Sequence, residues 1–182
     1  EPFNNITNAY LLSHLGLGDN LYMIGAVKYL LQYYKNIYFI CKDIYYDNVK
    51  LFYKNNKNVI IVPINSKNES ESCKSILNKS IYDNNDVLIC GLHKNYLKSK
   101  ITNPNILRRK PKESNYTIDY DTLTTSNYSF IENFYFDINL DLNIYFEYFK
   151  LPSTIESNKY YNNLSNYNKI IFIHSKSSTN QL

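Results

Sequence analysis

The sequence of 182 residues lacks the signatures of several common protein classes. No stretch approaches the roughly 20 consecutive apolar residues that a membrane-spanning helix needs, so we expect no membrane span. No Gly-Lys-Ser/Thr triplet is present to form a P-loop, and no Gly-x-Ser-x-Gly elbow is present for a nucleophilic serine. No His, Cys or carboxylate residues fall at metal-ligand spacing, which argues against a structural zinc site.

Cysteine is scarce, with three residues in the chain. An odd number cannot pair completely, and two of the three, Cys41 and Cys90, end apolar strand-like runs. We therefore interpret Cys41, Cys73 and Cys90 as buried thiols in a reducing compartment, and we expect a cytoplasmic protein.

The chain also has little excess charge, because 20 basic and 16 acidic residues give a net charge of +4. Nucleic-acid binding requires basic residues concentrated in a stripe, and only residues 108–112 form a dense basic run. That short run is typical of a solvated loop, so we expect no nucleic-acid partner.

Short β-branched runs alternate with helical patterns over the first ninety residues. A hydrophobic content of 44% places the chain among folded globular proteins. The patterns predict strands over residues 9–14, 37–41, 59–63 and 86–91, and helices over residues 21–34, 44–53 and 71–80. This alternation predicts an α/β fold with a Rossmann-like parallel sheet flanked by helices.

The second half of the chain is less regular. Residues 94–126 are mainly polar and predict a loop region, residues 126–136 a helix, and the aromatic residues 144–149 a further strand. A boundary at residues 151–153 precedes a linking helix over 154–164 and an apolar strand over 169–174. We expect a first domain over residues 1–150, and over 151–182 a linker with the first strand of an incomplete second domain.

A glycine-containing loop over residues 13–20 follows the first predicted strand. Glycine permits a positive φ or a close approach to a ligand, and the helix N-terminus that follows favours an anionic group. In parallel sheets, ligands bind beyond the carboxyl ends of the strands. We therefore expect this loop and the segment Gly91-Leu92-His93 to face one crevice.

The polar residues of these two loops allow several interpretations. Asp19 is placed to act as a general base toward a hydroxyl, or to cap the N–H groups of its own helix. His14 and His93 are each a candidate base, a phosphate donor or a buried polar residue. Gly16-x-Gly18 lacks the third glycine of the dinucleotide fingerprint, since Gly25 falls too late.

Two segments resemble glycosyltransferases of the GT-B fold. Residues 14–31 resemble the first loop and helix of the heptosyltransferase-like family, in which a Gly-Asp pair precedes an apolar helix. Residues 173–178, Ile-His-Ser-Lys-Ser-Ser, are similar to the strand and hydroxyl-rich turn that open the second Rossmann domain of those enzymes. The order of the two segments matches an acceptor-side domain followed by the start of a donor-side domain.

This resemblance implies roles for individual residues. Asp19 is the candidate catalytic base, Gly16 and Gly18 form the loop that admits the substrates, and Ser177 and Ser178 contact the donor phosphates. In addition, three polar residues of the two loops are candidate substrate-binding residues: His14, Asn20 and His93.

The resemblance also implies the reaction and its partners. A nucleotide sugar is the donor and co-substrate, a glycan or other hydroxyl compound is the acceptor, and no metal or other cofactor is required. Inversion at the sugar is the expected outcome. We expect the donor-side domain to be incomplete at Leu182 and this fragment alone to be inactive.

Two alternatives belong to other functional classes. The chain has the features of a non-catalytic Rossmann-like module that binds a carbohydrate or nucleotide, derived from a transferase. A dinucleotide-binding domain of the oxidoreductase type is a further alternative, which the missing third glycine opposes.

Overall fold

Four strands form one all-parallel sheet in the computed structural model, which describes residues 8–82, 85–90 and 130–164. The strands are β1 (Ala9–Leu12), β2 (Ile37–Lys42), β3 (Val59–Ile64) and β4 (Asp86–Ile89), in the spatial order β3-β2-β1-β4. Helices flank this sheet, so the predicted α/β class with a Rossmann-like sheet is confirmed.

The helices follow the predicted alternation with shifted ends. They are α1 (Leu17–Tyr22), α2 (Ile24–Leu30), α3 (Tyr46–Phe52) after a 3-10 turn at Asp43–Tyr45, α4 (Glu69–Tyr82), α5 (Phe130–Asp137), α6 (Asn143–Tyr148) and α7 (Ile155–Leu164). The chain divides into two compact units after Pro152, and α7 belongs to the second unit. The predicted domains remain a prediction, because residues 165–182 lie outside the described residues.

Strand β1 is the centre of the core. All four of its residues are buried, and its neighbours are β2 on one side and β4 on the other, with Ala9 opposite both Ile37 and Asp86. Because successive side chains point to opposite faces of a strand, β1 contributes to two apolar layers. Ala9 and Leu11 pack with α2 and α5, whereas Tyr10 and Leu12 pack on the face that includes Cys73 of α4.

The segment over residues 144–149 is a helix, so the predicted strand is wrong. Its aromatic residues favour a strand by intrinsic propensity, but Ile144, Tyr145 and Phe149 recur at helical spacing and pack against the core. Phe146 points away from the core and is 70% exposed. The Asp141 carboxylate accepts a hydrogen bond from the N–H of Asn143, the first residue of the helix.

The predicted helix over residues 21–34 is two shorter helices, α1 and α2, with a break at Met23. At this break the hydroxyl of Tyr135 lies between the two helices. Gly25 has a packing role, since a Cβ at this position would lie 2.9 Å from Tyr145 Cα of α6. Glycine at this position therefore allows α6 to approach α2 closely.

Candidate active site

The order of the strands determines where a crevice forms. Strands β1, β2 and β3 succeed one another in one direction, and β4 then pairs on the other side of β1. In open parallel sheets, ligands bind where the strand order reverses, outside the carboxyl ends of the strands. In this chain that point lies between the ends of β1 and β4, and the glycine loop follows β1 directly.

Of the two reasons for glycine considered from the sequence, a positive φ does not apply, because neither Gly16 nor Gly18 adopts one. Gly16 is the N-cap of α1 in extended backbone, with φ −74° and ψ 152°, and Gly18 lies in the first helical turn. A Cβ at Gly18 would meet nothing within 4 Å. At position 16 a side chain would therefore collide with Asp19, which explains the glycine. At position 18 there is open space for a side chain.

Gly16 makes room for the carboxylate of Asp19. The Gly16 N–H donates a hydrogen bond to Asp19 Oδ2 at 3.2 Å, and a Cβ on Gly16 would lie 2.6 Å from that same oxygen. The carboxylate thus folds back over its own helix start, which is the carboxylate half of a capping box. Capping does not occupy the whole group, since an ionised carboxylate has about four acceptor positions.

The environment of Asp19 favours its protonated form. Burial raises the pKa of the Asp19 carboxyl above its ordinary value, while the nearby His14 and the Gly16 N–H act in the opposite direction. An efficient general base at neutral pH has a pKa of about 7, and a raised pKa brings the Asp19 carboxyl group closer to that value. The His14 ring is held edge-on against Phe134 of α5, with 5.4 Å between the ring centroids.

Residues of helix α5 lie near the carboxyl ends of β1 and β4. Phe134 contacts His14 after β1, and one turn further along, the Asp137 carboxylate adds to burial in raising the pKa of the Cys90 thiol after β4. The Cys90 N–H donates to the carbonyl of Leu12 at 3.0 Å, which joins the two strand ends. These contacts bring α5, the glycine loop and the end of β4 together.

Two asparagines on α1 and α5 are buried, and their side-chain amides have no hydrogen-bond partner among residues 8–82, 85–90 and 130–164. Asn20 follows Asp19 on α1 and is 0% exposed, and Asn133 precedes Phe134 on α5 and is 1% exposed. A buried amide without hydrogen bonds costs about 1–3 kcal/mol, so such groups are uncommon outside functional sites. Asn133 was not anticipated from sequence, although a lone amide within the aromatic run of α5 is the signal that marks it.

The neighbouring strand ends are engaged in structural contacts. The Asp43 carboxylate after β2 accepts hydrogen bonds from the N–H groups of Ile44 and Ser66. A hydrogen bond from the Ser66 side chain, together with these backbone bonds, holds the pKa of Asp43 below its ordinary value. Lys42 forms an ion pair with Glu69 at 2.5 Å. These contacts connect the end of β2 to the start of α4, which leaves the loop after β1 as the candidate site.

The structure brings together four of the predicted site residues, His14, Gly16, Asp19 and Asn20, with Gly18 on the exposed side of the same turn. Gly91, His93, Ser177 and Ser178 lie outside the described residues, and their roles remain predictions. Within the described part of the chain, no cluster of three or more metal-binding side chains is present. None of the helices in that part has the length and hydrophobicity to cross a bilayer.

The chain matches no protein-family model, no curated protein and no solved structure. Any functional conclusion therefore depends on the residues of the crevice and on their chemistry.

Proposed function

We propose that this chain is the acceptor-side half of a cytoplasmic, GT-B type glycosyltransferase that takes its sugar from a nucleotide-sugar donor. The observation that carries the proposal is the half-buried Asp19 carboxylate with a raised pKa, at the start of a helix and at the switch point of a parallel sheet. Carboxylates tuned in this way are suited to accept a proton from a hydroxyl.

In the proposed reaction, an acceptor hydroxyl donates a hydrogen bond to an Asp19 oxygen. The hydroxyl oxygen attacks the anomeric carbon and its proton passes to the Asp19 carboxylate, while the bond from that carbon to the nucleoside diphosphate breaks and the diphosphate leaves with the electron pair. His14 and the buried Asn20 are the residues proposed to orient the acceptor. In-line attack inverts the configuration, and Ser177 and Ser178 are the proposed donors to the departing diphosphate.

A second candidate function is a non-catalytic module that binds a carbohydrate or nucleotide. One observation favours it, namely that Asp19 already has a structural partner in the Gly16 N–H. In this alternative the carboxylate stabilises the loop, and the unpartnered amide of Asn20 binds a ligand hydroxyl without any reaction.

The test compares Asp19→Asn with Asp47→Asn, which removes an exposed carboxylate from the first turn of α3. Sugar transfer from a panel of nucleotide sugars to mixed glycan acceptors is measured by mass spectrometry, with the longest form of the chain that its gene encodes. We expect Asp19→Asn to lower turnover by about 10²-fold or more and Asp47→Asn to keep the wild-type rate.

The other outcomes of this test are also informative. Full turnover in Asp19→Asn would remove this residue from the chemistry. Binding of sugar or nucleotide, measured by NMR, without transfer by the wild type would support the binding module. Tight binding of NAD would contradict both readings and favour a dinucleotide-binding domain.

A further inference from the structure

The hydroxyl of Tyr135 takes the place of one backbone hydrogen bond between α1 and α2. In a continuous helix, the Ala26 N–H would donate to the carbonyl of Tyr22, four residues earlier. Here the Ala26 N–H donates to the Tyr135 hydroxyl at 3.1 Å, and that hydroxyl donates to the Tyr22 carbonyl at 2.9 Å. An inserted side chain of this kind is a recognised cause of a helix kink, and it accounts for the break at Met23.

The inserted hydroxyl is held on several sides. Tyr135 is fully buried, its ring stands edge-on to Tyr145 at 6.1 Å between centroids, and a Cβ on Gly25 would lie 2.8 Å from its oxygen. Burial also raises the pKa of Tyr135, so the hydroxyl keeps the proton that it donates to Tyr22. The contact therefore joins α5 to the α1–α2 junction in one defined geometry.

Helix α1 depends on contacts at its two ends. It has six residues, which is too short for a helix to be stable on its own. Its first turn carries Asp19 and Asn20, and its last residue, Tyr22, presents the carbonyl that Tyr135 holds. Through this hydrogen bond α5 holds the end of the helix whose first turn carries Asp19.

We propose that Tyr135 is a positioning residue for Asp19, acting through the junction of α1 and α2. Without the hydroxyl, the Ala26 N–H can donate directly to Tyr22, which straightens the helix and moves Asp19 relative to His14 and β1. The consequence for catalysis rests on the proposed function, whereas the positioning of the carboxylate is independent of it.

The test is a carbon-13 NMR titration of the Asp19 carboxyl group in the whole chain, with the signal assigned from Asp19→Asn. In Tyr135→Phe, which keeps the ring, we expect the titration midpoint of Asp19 to shift toward the ordinary value of an aspartate. The matched control is Tyr53→Phe. Tyr53 is 3% exposed, and its hydroxyl has no hydrogen-bond partner in the described part of the chain, so its removal should leave the midpoint unchanged.

An unchanged Asp19 midpoint in folded Tyr135→Phe would overturn the proposal, and so would an equal shift in Tyr53→Phe. If Tyr135→Phe does not fold, the proposal is tested on the wild type instead, by measuring amide hydrogen exchange at urea concentrations below the unfolding transition. The amides of Asn20 and Tyr135 should then exchange through one shared opening, and separate openings would refute the proposal. Neither measurement depends on sugar transfer. A wild type without transferase activity would therefore contradict the proposed function but not the role of Tyr135.

Discussion

At the scale of single residues, Asp19 serves two purposes with opposite demands. Capping by the Gly16 N–H favours the ionised carboxylate, whereas burial favours the protonated one, and burial prevails. A half-buried carboxylate whose pKa is raised by desolvation is typical of a functional position, because activity and stability often conflict there.

Replacement of Asp19 should therefore show a pH-dependent effect on stability. Because the pKa of Asp19 is raised in the folded state above the ordinary 3.8, its contribution is present below that value and is lost as the pH rises through the folded pKa. We expect Asp19→Asn to be at least as stable as the wild type at pH 7, with the difference closing toward pH 3, as measured by urea denaturation across this range.

The control for this effect is Asp47→Asn, which removes an exposed carboxylate near a helix N-terminus. It should lose about 0.3–1 kcal/mol at pH 7, from the helix dipole alone. If Asp19→Asn instead loses more stability at pH 7 than at pH 3, capping outweighs burial at this carboxylate.

The two loop glycines provide a matched pair of substitutions. In Gly16→Ala the new methyl group displaces Asp19 Oδ2 and breaks the capping hydrogen bond, so we expect a loss of about 1 kcal/mol. In Gly18→Ala the methyl group enters open space in a helix, which should stabilise the chain by about 0.5–1 kcal/mol. Urea denaturation measures both, and equal effects of the two substitutions would show that the contact between Gly16 and Asp19 is not formed in solution.

At the scale of secondary-structure elements, local patterns predicted what depends on local sequence. The four strands are short, apolar and bounded by polar residues, so their existence followed from composition and spacing. The break at Met23 could not be predicted, because its cause, Tyr135, is 109 residues from Ala26 in sequence. Residues 144–149 were predicted as a strand because aromatic residues have a high strand propensity. Their apolar side chains also fit a helical spacing, and packing against α2 favours the helix.

Helix α5 carries the buried side-chain amide of Asn133, which has no hydrogen-bond partner in the described part of the chain. We expect Asn133→Leu, which replaces the amide by an apolar side chain of similar shape, to stabilise the chain by about 1–3 kcal/mol in urea denaturation. Asn48→Leu on the exposed side of α3 is the control and should stay within about 0.5 kcal/mol of the wild type. A clear loss of stability in Asn133→Leu would show that the amide is hydrogen-bonded in solution.

At the scale of the whole molecule, residues of the candidate site could be predicted from sequence where they lie close together in the chain, and not where they are far apart. His14, Gly16, Asp19 and Asn20 were identified together because one short loop carries them. Asn133 required the tertiary structure, since only the packing of α5 over β1 brings it near. His93, Ser177 and Ser178 lie outside the described residues, and their contributions stay predictions.

The complete fold protects all three cysteines. Cys41, Cys73 and Cys90 are free thiols and buried, and burial raises the pKa of Cys41 to about 11. We expect Ellman's reagent at pH 8 to modify none of them in the folded chain within minutes, and all three after unfolding in urea. Rapid modification of one thiol before the unfolding transition would identify a part of the sheet that opens separately.

The central position of β1 also governs the order of events during synthesis. The ribosome makes β1 first, but the strand receives its second neighbour last, because Ala9 pairs with Ile37 and then with Asp86. Until β4 has emerged from the exit tunnel, the nascent chain presents an unpaired edge of a strand that is buried in the finished protein. Such edges recruit other chains, so slow translation between β3 and β4 should lower the yield of folded protein through aggregation and increase its dependence on chaperones.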